Sequence, residues 1–198
     1  CSSDLMASSP AGSDNSTTYT EDTTYEVSLV DINHSYSDTG GEDHTLAAIN
    51  ITALPSTGTL NLGGVAVVVG GNGQGITVAQ ITNGDLTYVP AADSSVIDTF
   101  EFELVDSGGD VSVASYTLTL NGTAVNDVPV ITGTGGDVDL AFTENDGATA
   151  IDIAIVLADV DSANLTGATV TISGGYLLAE DVLGFTDAGG ITGSWDSA

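Results

Sequence analysis

Residues 111–133 read VSVASYTLTLNGTAVNDVPVITG, and they are the most informative stretch of this chain. Two alternating runs rich in β-branched residues flank a polar segment, and alternation with a period of two is typical of half-buried strands. A simple turn needs only one of Asn126, Asp127 and Pro129, whereas here all three stand together. The stretch therefore predicts a junction between two β-domains, and it predicts that the acid at this junction binds a metal ion.

The chain before this junction continues the strand pattern. Seven short runs, bounded by Gly, Asn, Asp or Pro, predict strands at 23–32, 47–54, 58–69, 75–81, 85–91, 98–106 and 111–120. About seven strands in about 105 residues is typical of an immunoglobulin-like β-sandwich. Residues 1–19 are rich in Ser, Thr, Asp and Gly, and we expect them to form a tail or linker, with residues 1 to 14 outside the sandwich.

The sequence then partly repeats itself at an offset of about 120 residues. The segments around Glu21, Asp38 and Leu46 recur around residue 144, Asp159 and Leu165. The prediction is an all-β chain of tandem immunoglobulin- or cadherin-like β-sandwiches, with a first repeat at 20–125 and a second at 126–198. By comparison with the first repeat, the second is expected to be incomplete, completed by further repeats of a longer array or by another chain.

Composition limits the partners of this protein. The chain of 198 residues carries 28 acidic residues and no Lys or Arg, so its formal net charge is −28. Nucleic acids and anionic lipid surfaces both require basic side chains, so neither is an expected partner. No apolar run approaches the roughly 20 residues of a membrane-spanning helix. Mutual repulsion among so many carboxylates is relieved by salt screening or by bound cations.

Several segments together resemble a known family. TEDTTYEVSLVDINHSYSDTGGEDHTLAAINITALPSTGTLNLGGVAV, DTFEFELVDSGG, AVNDVPVI and LADVDSANLTGATVTI look like the cadherin-like repeats of bacterial surface proteins. These include the VCBS-type and tandem-95-type repeats of giant secreted adhesins, and the resemblance covers residues 20–198. It implies a calcium-stiffened extracellular rod at or beyond the cell surface, and it does not imply catalysis.

Because successive strands of a sandwich reverse direction, the acidic loops are expected to lie in two groups, one at each end of the first repeat. Both groups are predicted Ca²⁺ ligands, since Ca²⁺ binds six to eight oxygen atoms. The group expected at the end nearest the preceding tail consists of Asp38, Glu42, Asp43, Asp106 and Asp110, with Glu21 and Asp22. The group expected at the junction consists of Asp98, Asn126, Asp127, Asp159 and Asp161, with Asp93 in the same loop as Asp98. The competing interpretation is that these residues only form turns.

Other chemistries find less support in the sequence. His34 and His44 flank an acidic segment, but two histidines without cysteine are interpreted as surface or strand-end residues rather than metal ligands. No loop matches the EF-hand pattern, and no Ser–His–Asp order indicates an enzyme. The tyrosines and Trp195 are interpreted as core or strand-face residues, so a carbohydrate-binding module ranks as a low alternative.

The sequence contains candidate sites for two kinds of covalent modification, glycosylation and lipidation. Five Asn-x-Ser/Thr sequons are candidate glycosylation sites: Asn15, Asn33, Asn50, Asn121 and Asn164. A chain that begins CSS also resembles a mature bacterial lipoprotein, which makes Cys1 a lipidation candidate; a fragment boundary that falls on a cysteine explains the same residue.

Two hypotheses of different class follow. The first is a Ca²⁺-stiffened spacer or stalk of a bacterial surface adhesin, whose partners are neighbouring repeats and whose other domains contact host or surface ligands. The second is a protomer of an extracellular fibril, in which identical chains join end to end by strand addition. The segment STTYTEDTTYEV, residues 16–27, is the predicted donor strand in that case.

Overall fold

The computed structural model describes residues 9–38, 44–132, 141, 143, 147–151, 155–178, 180–187 and 190–197. Its described part consists mostly of β-strands with two short helices, so the all-β class is confirmed. The chain divides into two compact units, Cys1–Asn126 (unit 1) and Asp127–Ala198 (unit 2).

Unit 1 contains nine strands and two helices among its described residues. In chain order they are β1 (Asn15–Thr20), β2 (Tyr25–Glu26), α1 (Leu29–Ile32), β3 (Leu46–Ala53), β4 (Thr59–Leu62), β5 (Val65–Ala66), β6 (Ile76–Thr77), α2 (Val78–Thr82), β7 (Leu86–Val89), β8 (Asp98–Asp106) and β9 (Tyr116–Thr123). A five-stranded sheet has the order β1-β9-β8-β3-β6, and a four-stranded sheet has the order β2-β7-β4-β5. All pairings are antiparallel except that of β1 with β9, which is parallel.

Strand β8 shows how the sequence builds the core. Along DTFEFELVD the even-numbered residues are buried and the odd-numbered residues are exposed or half-buried, as the period of two requires. Phe100, Phe102 and Leu104 thereby enter one hydrophobic cluster with Leu60 and Tyr88 of the four-stranded sheet. Since both sheets bury side chains in the same cluster, burial of these apolar surfaces is what holds unit 1 together. The same alternation also turns the acids at both ends of β8, Asp98 and Asp106, inward.

Two segments predicted as strands, 23–32 and 75–81, begin as the short strands β2 and β6 but continue as short helices. Residues 29–32 form α1 and residues 78–82 form α2, and each helix begins with a reciprocal capping box. Ser28 pairs with Asp31 at α1, and Thr77 pairs with Gln80 at α2. Each pair satisfies backbone N–H groups that a new helix leaves without partners, so these local hydrogen bonds outweigh the strand preference of the Val and Ile residues nearby.

The prediction that residues 1–19 form a tail is wrong for residues 9–19, the part that the structure describes. Residues 15–20 form β1, which pairs with β9 from Asn15 opposite Leu118 to Thr20 opposite Thr123. Ala11 and Ser37 exchange two backbone hydrogen bonds of 2.8 Å, so residues before β1 also pack on unit 1. Strand β9 needs a partner for its outer backbone groups, and this need gives order to a segment whose composition is typical of a linker.

Unit 2 contains two strands among its described residues, β10 (Val130–Thr132) and β11 (Val156–Ala158), which pair antiparallel. All six strand residues are exposed, and no described residue of this unit is buried. In the portion of the chain that the structure describes, no helix has the length and apolar character needed to cross a membrane.

Candidate metal centre

The register of the five-stranded sheet separates the acids of unit 1 into two ends. Asp98 begins β8 opposite Leu120 of β9, whereas Asp106 ends β8 opposite Leu46 of β3. Because β8 has nine residues, these two carboxylates lie roughly 26 Å apart along the strand. Unit 1 therefore has two separate acidic ends, the Asp106 end and the Asp98 end.

Three side chains converge at the Asp106 end. The Nδ1 atom of His44 lies 3.4 Å from Oδ2 of Asp106 and 3.8 Å from Oδ2 of Asp38. One ligand atom from each residue lies within 4.8 Å of the other two. The side chains of Asp38 and Asp106 are 2% and 0% exposed, and that of His44 is 27% exposed. We call this set the Asp38–His44–Asp106 cluster.

The loop after β8 orients the Asp106 carboxylate. Its Oδ1 atom accepts hydrogen bonds from the backbone N–H groups of Gly108 at 2.8 Å and Asp110 at 2.9 Å. Its Oδ2 atom is buried and accepts no hydrogen bond from the residues that the structure describes. Asp110, a predicted ligand, also accepts a bond from the Asp106 backbone through its own carbonyl at 3.0 Å. Asp110 thus contributes through its backbone, and Asp106 presents one oxygen toward His44.

His44 was not a predicted ligand, and the strand register explains its position. It lies two residues before Leu46, which is directly opposite Asp106, so side chains 44 and 106 share one face of the sheet. The Tyr36 hydroxyl donates a 3.1 Å hydrogen bond to the His44 carbonyl. A Cβ atom at Gly108 would collide with the imidazole ring, so the absence of a side chain there gives the ring its place. The two-residue spacing of His44 and Leu46 is visible in the sequence, but it indicates this position only once the pairing of Leu46 with Asp106 is known.

At the other end, Asp98 is a structural anchor rather than an open ligand. Its oxygens accept six hydrogen bonds of 2.8–3.1 Å, and the donors are the backbone N–H groups of residues 56, 57, 58 and 99, the Ser56 hydroxyl and the Tyr88 hydroxyl. Burial by itself would raise the pKa of the Asp98 carboxyl, but the hydrogen bonds from Gly58, Ser56, Thr57 and Thr99 outweigh it and lower the pKa to about 2. Because each oxygen already accepts three hydrogen bonds, Asp98 is no longer a candidate metal ligand.

Glu21 lies at the Asp98 end, not at the Asp38 end where the sequence placed it. Strand β1 runs parallel to β9, so Glu21 follows Thr20 beside the exit of β9. Its Oε1 atom accepts a 2.6 Å hydrogen bond from the backbone of Val125. Asp22, which the sequence also placed at the other end, accepts a 2.9 Å bond through Oδ1 from the backbone of Asp93. The error comes from assigning residues 15–19 to a tail, which hid the direction of β1.

In unit 2, the predicted acids lie in one loop and at the start of the unit. Asp159 accepts hydrogen bonds through Oδ1 from the backbone N–H groups of Asp161 at 3.0 Å and Ser162 at 2.8 Å, a turn stabilised by its own side chain. Asp161 in turn accepts a bond through Oδ2 from the backbone of Asp127. The carboxylates of Asp127 and Asp161 are thereby brought to the same part of unit 2.

The remaining predicted residues divide by what the structure describes. Asn126 is exposed at the end of unit 1. Glu42 and Asp43, which were predicted ligands, and Cys1, the lipidation candidate, lie outside the described residues.

The five sequons differ in accessibility, and this gives a first prediction. Asn33 and Asn164 are exposed, whereas the Asn121 side chain is half-buried and donates a 3.0 Å hydrogen bond from Nδ2 to the Thr17 carbonyl of the neighbouring strand. In a host that attaches N-linked glycans, we expect glycans at Asn33 and Asn164 and none at Asn121, because a glycan on Nδ2 would break the contact between β1 and β9. Glycopeptide mass spectrometry measures the occupancy of each site, and a mainly glycosylated Asn121 would contradict this prediction.

Comparison with protein-family models finds no match for this chain, and comparison with the curated proteins finds no match either.

Proposed function

We propose that this chain is a structural module of an extracellular repeat protein, a spacer or stalk that binds Ca²⁺ and catalyses no reaction. Two sheets that share one hydrophobic cluster support an immunoglobulin- or cadherin-like β-sandwich for unit 1. The resemblance of residues 20–198 to the cadherin-like repeats of bacterial adhesins supports the same function and a place at the cell surface.

The observation that carries the proposal is where the acids lie within each unit. Unit 1 holds Glu21 against the backbone of Val125, where the chain leaves β9. Unit 2, taken by itself, holds Asp161 against the backbone of Asp127, where that unit begins. Acids thus accompany the ends of the units in a chain with no Lys or Arg. Carboxylate and carbonyl oxygens without competing cationic side chains are the environment that Ca²⁺ prefers.

Calcium is therefore expected to stabilise the protein. An ion that binds only the folded state adds about 2.7 kcal/mol at one hundred times its dissociation constant. We expect CaCl₂ added to the metal-stripped full chain at low ionic strength to raise the melting temperature measured by calorimetry. Asp161→Asn should remove most of this rise, because it takes a carboxylate from the acids of unit 2.

The matched control is Glu101→Gln, which also changes a carboxylate to an amide but on an exposed position of β8. This variant should retain the full response to calcium. An identical melting temperature with and without CaCl₂ would reject calcium binding as the basis of the proposed function.

A second candidate function is a protomer of a self-assembling fibril, and one observation favours it. Strands β10 and β11 expose apolar side chains, among them Val130, Ile131 and Val156. Exposed strands with apolar faces pair readily with another strand, from the same longer chain or from a neighbouring protomer. The predicted donor segment 16–27 is already used inside unit 1, where it forms β1 and β2. Analytical ultracentrifugation of the full chain distinguishes a monomer from end-to-end polymers.

A further inference from the structure

We infer that the Asp38–His44–Asp106 cluster is a binding site for a transition metal ion of the Zn²⁺ class. This site lies within unit 1 and does not depend on the calcium binding proposed above. The proposed ligand atoms are the three that approach one another, Oδ2 of Asp38, Nδ1 of His44 and Oδ2 of Asp106.

Charge is the first reason. Two carboxylates with side-chain exposures of 2% and 0% approach the same imidazole nitrogen, and burying like charges together is costly unless a cation joins them. Besides His44 itself, the chain offers no basic side chain for this cluster, because it has no Lys or Arg. A divalent ion balances the charge of both carboxylates, which a single imidazole cannot do.

Geometry is the second reason. Two ligands that each lie about 2.1 Å from a tetrahedral ion are separated by roughly 3.4 Å. Nδ1 of His44 lies 3.4 Å from Oδ2 of Asp106 and 3.8 Å from Oδ2 of Asp38. Both nitrogen–oxygen distances are thus close to the spacing of two ligands on one small ion, and one carboxylate oxygen of each aspartate lies within 4.8 Å of the other.

The orientation of Asp106 is an independent third reason. Its Oδ1 atom is held by the N–H groups of Gly108 and Asp110, while its fully buried Oδ2 atom accepts no hydrogen bond among the described residues. Buried carboxylate oxygens ordinarily have hydrogen-bond partners. Backbone donors that fix one oxygen and leave the other directed at an imidazole form the outer shell that metal-binding carboxylates commonly have.

The imidazole decides the class of ion. Calcium and magnesium take oxygen ligands, whereas zinc and its neighbours bind imidazole nitrogen together with carboxylate oxygen. A bound ion would connect Asp38, His44 just before β3 and Asp106 at the end of β8. Such a link between distant parts of the chain stabilises the folded state by the free energy of metal binding.

The test uses the fact that the chain has only two histidines. Full-length, metal-stripped protein with ¹⁵N-labelled imidazoles is titrated with ZnCl₂ and observed by NMR. We expect a large shift of the His44 Nδ1 resonance that saturates at one ion per site, and no shift at the exposed His34. CaCl₂ at the same concentrations should leave the His44 resonance in place.

Variants give a second readout. His44→Gln is expected to weaken binding of Zn²⁺ at this site by at least about 100-fold, since loss even of an outer-shell partner costs 10–100-fold. His34→Gln is the matched control and should bind Zn²⁺ as the parent does. If Asp106→Asn fails to fold, Asp38→Asn tests the carboxylates in its place, and it should also weaken binding.

Three results would overturn the proposal. They are an unchanged His44 resonance with ZnCl₂, equal responses of both histidines, and a response of His44 to CaCl₂ rather than ZnCl₂. None of these results bears on calcium binding at Asp127 and Asp161, which the calorimetric experiment tests separately.

Discussion

Asp98→Asn is expected to destabilise unit 1 by about 4 kcal/mol, because it replaces one saturated acceptor oxygen by an NH₂ group. If that group takes the place of Oδ2, it faces the N–H groups of Thr57 and Gly58, which now donate to this oxygen at 3.0 and 2.9 Å. A buried donor that loses its acceptor costs about 1–3 kcal/mol, and these two N–H groups, which are partly buried, fall toward the lower end of that range. The Tyr88 hydroxyl, which donates to the same oxygen at 3.0 Å, is buried with the carboxylate in the core. Urea unfolding followed by tyrosine circular dichroism measures the change.

Asp93→Asn is the matched control for this substitution. Asp93 is exposed in the loop that precedes β8, and it has a φ angle of 52°, which Asn tolerates well. The control should therefore change the free energy of unfolding by less than about 0.5 kcal/mol. A loss below about 1 kcal/mol for Asp98→Asn would show that the six hydrogen bonds do not anchor the sheet.

The lowered pKa of Asp98 also fixes a pH window. The folded-state pKa of about 2 lies below the ordinary value of 3.8, so the folded protein releases the proton more readily than the unfolded chain. The resulting stabilisation is complete above the ordinary value and is lost as the pH falls from about 4 to about 2. It amounts to about 2 kcal/mol, and Asp98→Asn should remove this part of the acid dependence.

Strand alternation predicted most of the core of unit 1. The run 98–106 forms one strand, and the run 47–54 overlaps β3 at 46–53, because alternating apolar residues specify one buried face. The two helices were missed because Val, Ile and Leu favour strands over a few residues, while the hydrogen bonds of a capping box act over only four positions. The sequence signals for the two helices were the capping-box pairs, Ser28 with Asp31 and Thr77 with Gln80.

The candidate site was partly predictable for the same reason. Loop order placed Asp38 and Asp106 in one group, and the structure brings them to the same imidazole. The role of His44 requires the register of β3 against β8, which no local pattern specifies. Asp98 was mistaken for a ligand because the sequence does not show that the chain at residues 56–58 turns its N–H groups toward it.

Strand β1 lies in a segment whose composition predicted a tail, yet its contacts predict a large effect of deletion. Deletion of residues 1–20 is expected to cost at least about 5 kcal/mol, enough to abolish cooperative folding of a small domain. The deletion removes Tyr19, which is 3% exposed, packs edge-on against Tyr88 at 5.1 Å and donates a 2.6 Å hydrogen bond to the Val96 carbonyl. It also exposes the outer backbone groups of β9 along six residue pairs. Hydrogen exchange of the β8 and β9 amides and calorimetry both report this loss.

Deletion of residues 1–8 alone is the matched control, since it removes none of the described contacts of β1. The control should keep the melting temperature of the full chain, whereas the longer deletion should show no cooperative transition for unit 1. The contrast depends on the register from Asn15 to Thr20 and on the burial of Tyr19. If both deletions melted like the full chain, β9 would be stable as an edge strand, and residues 1–19 would behave as the linker that their composition predicts.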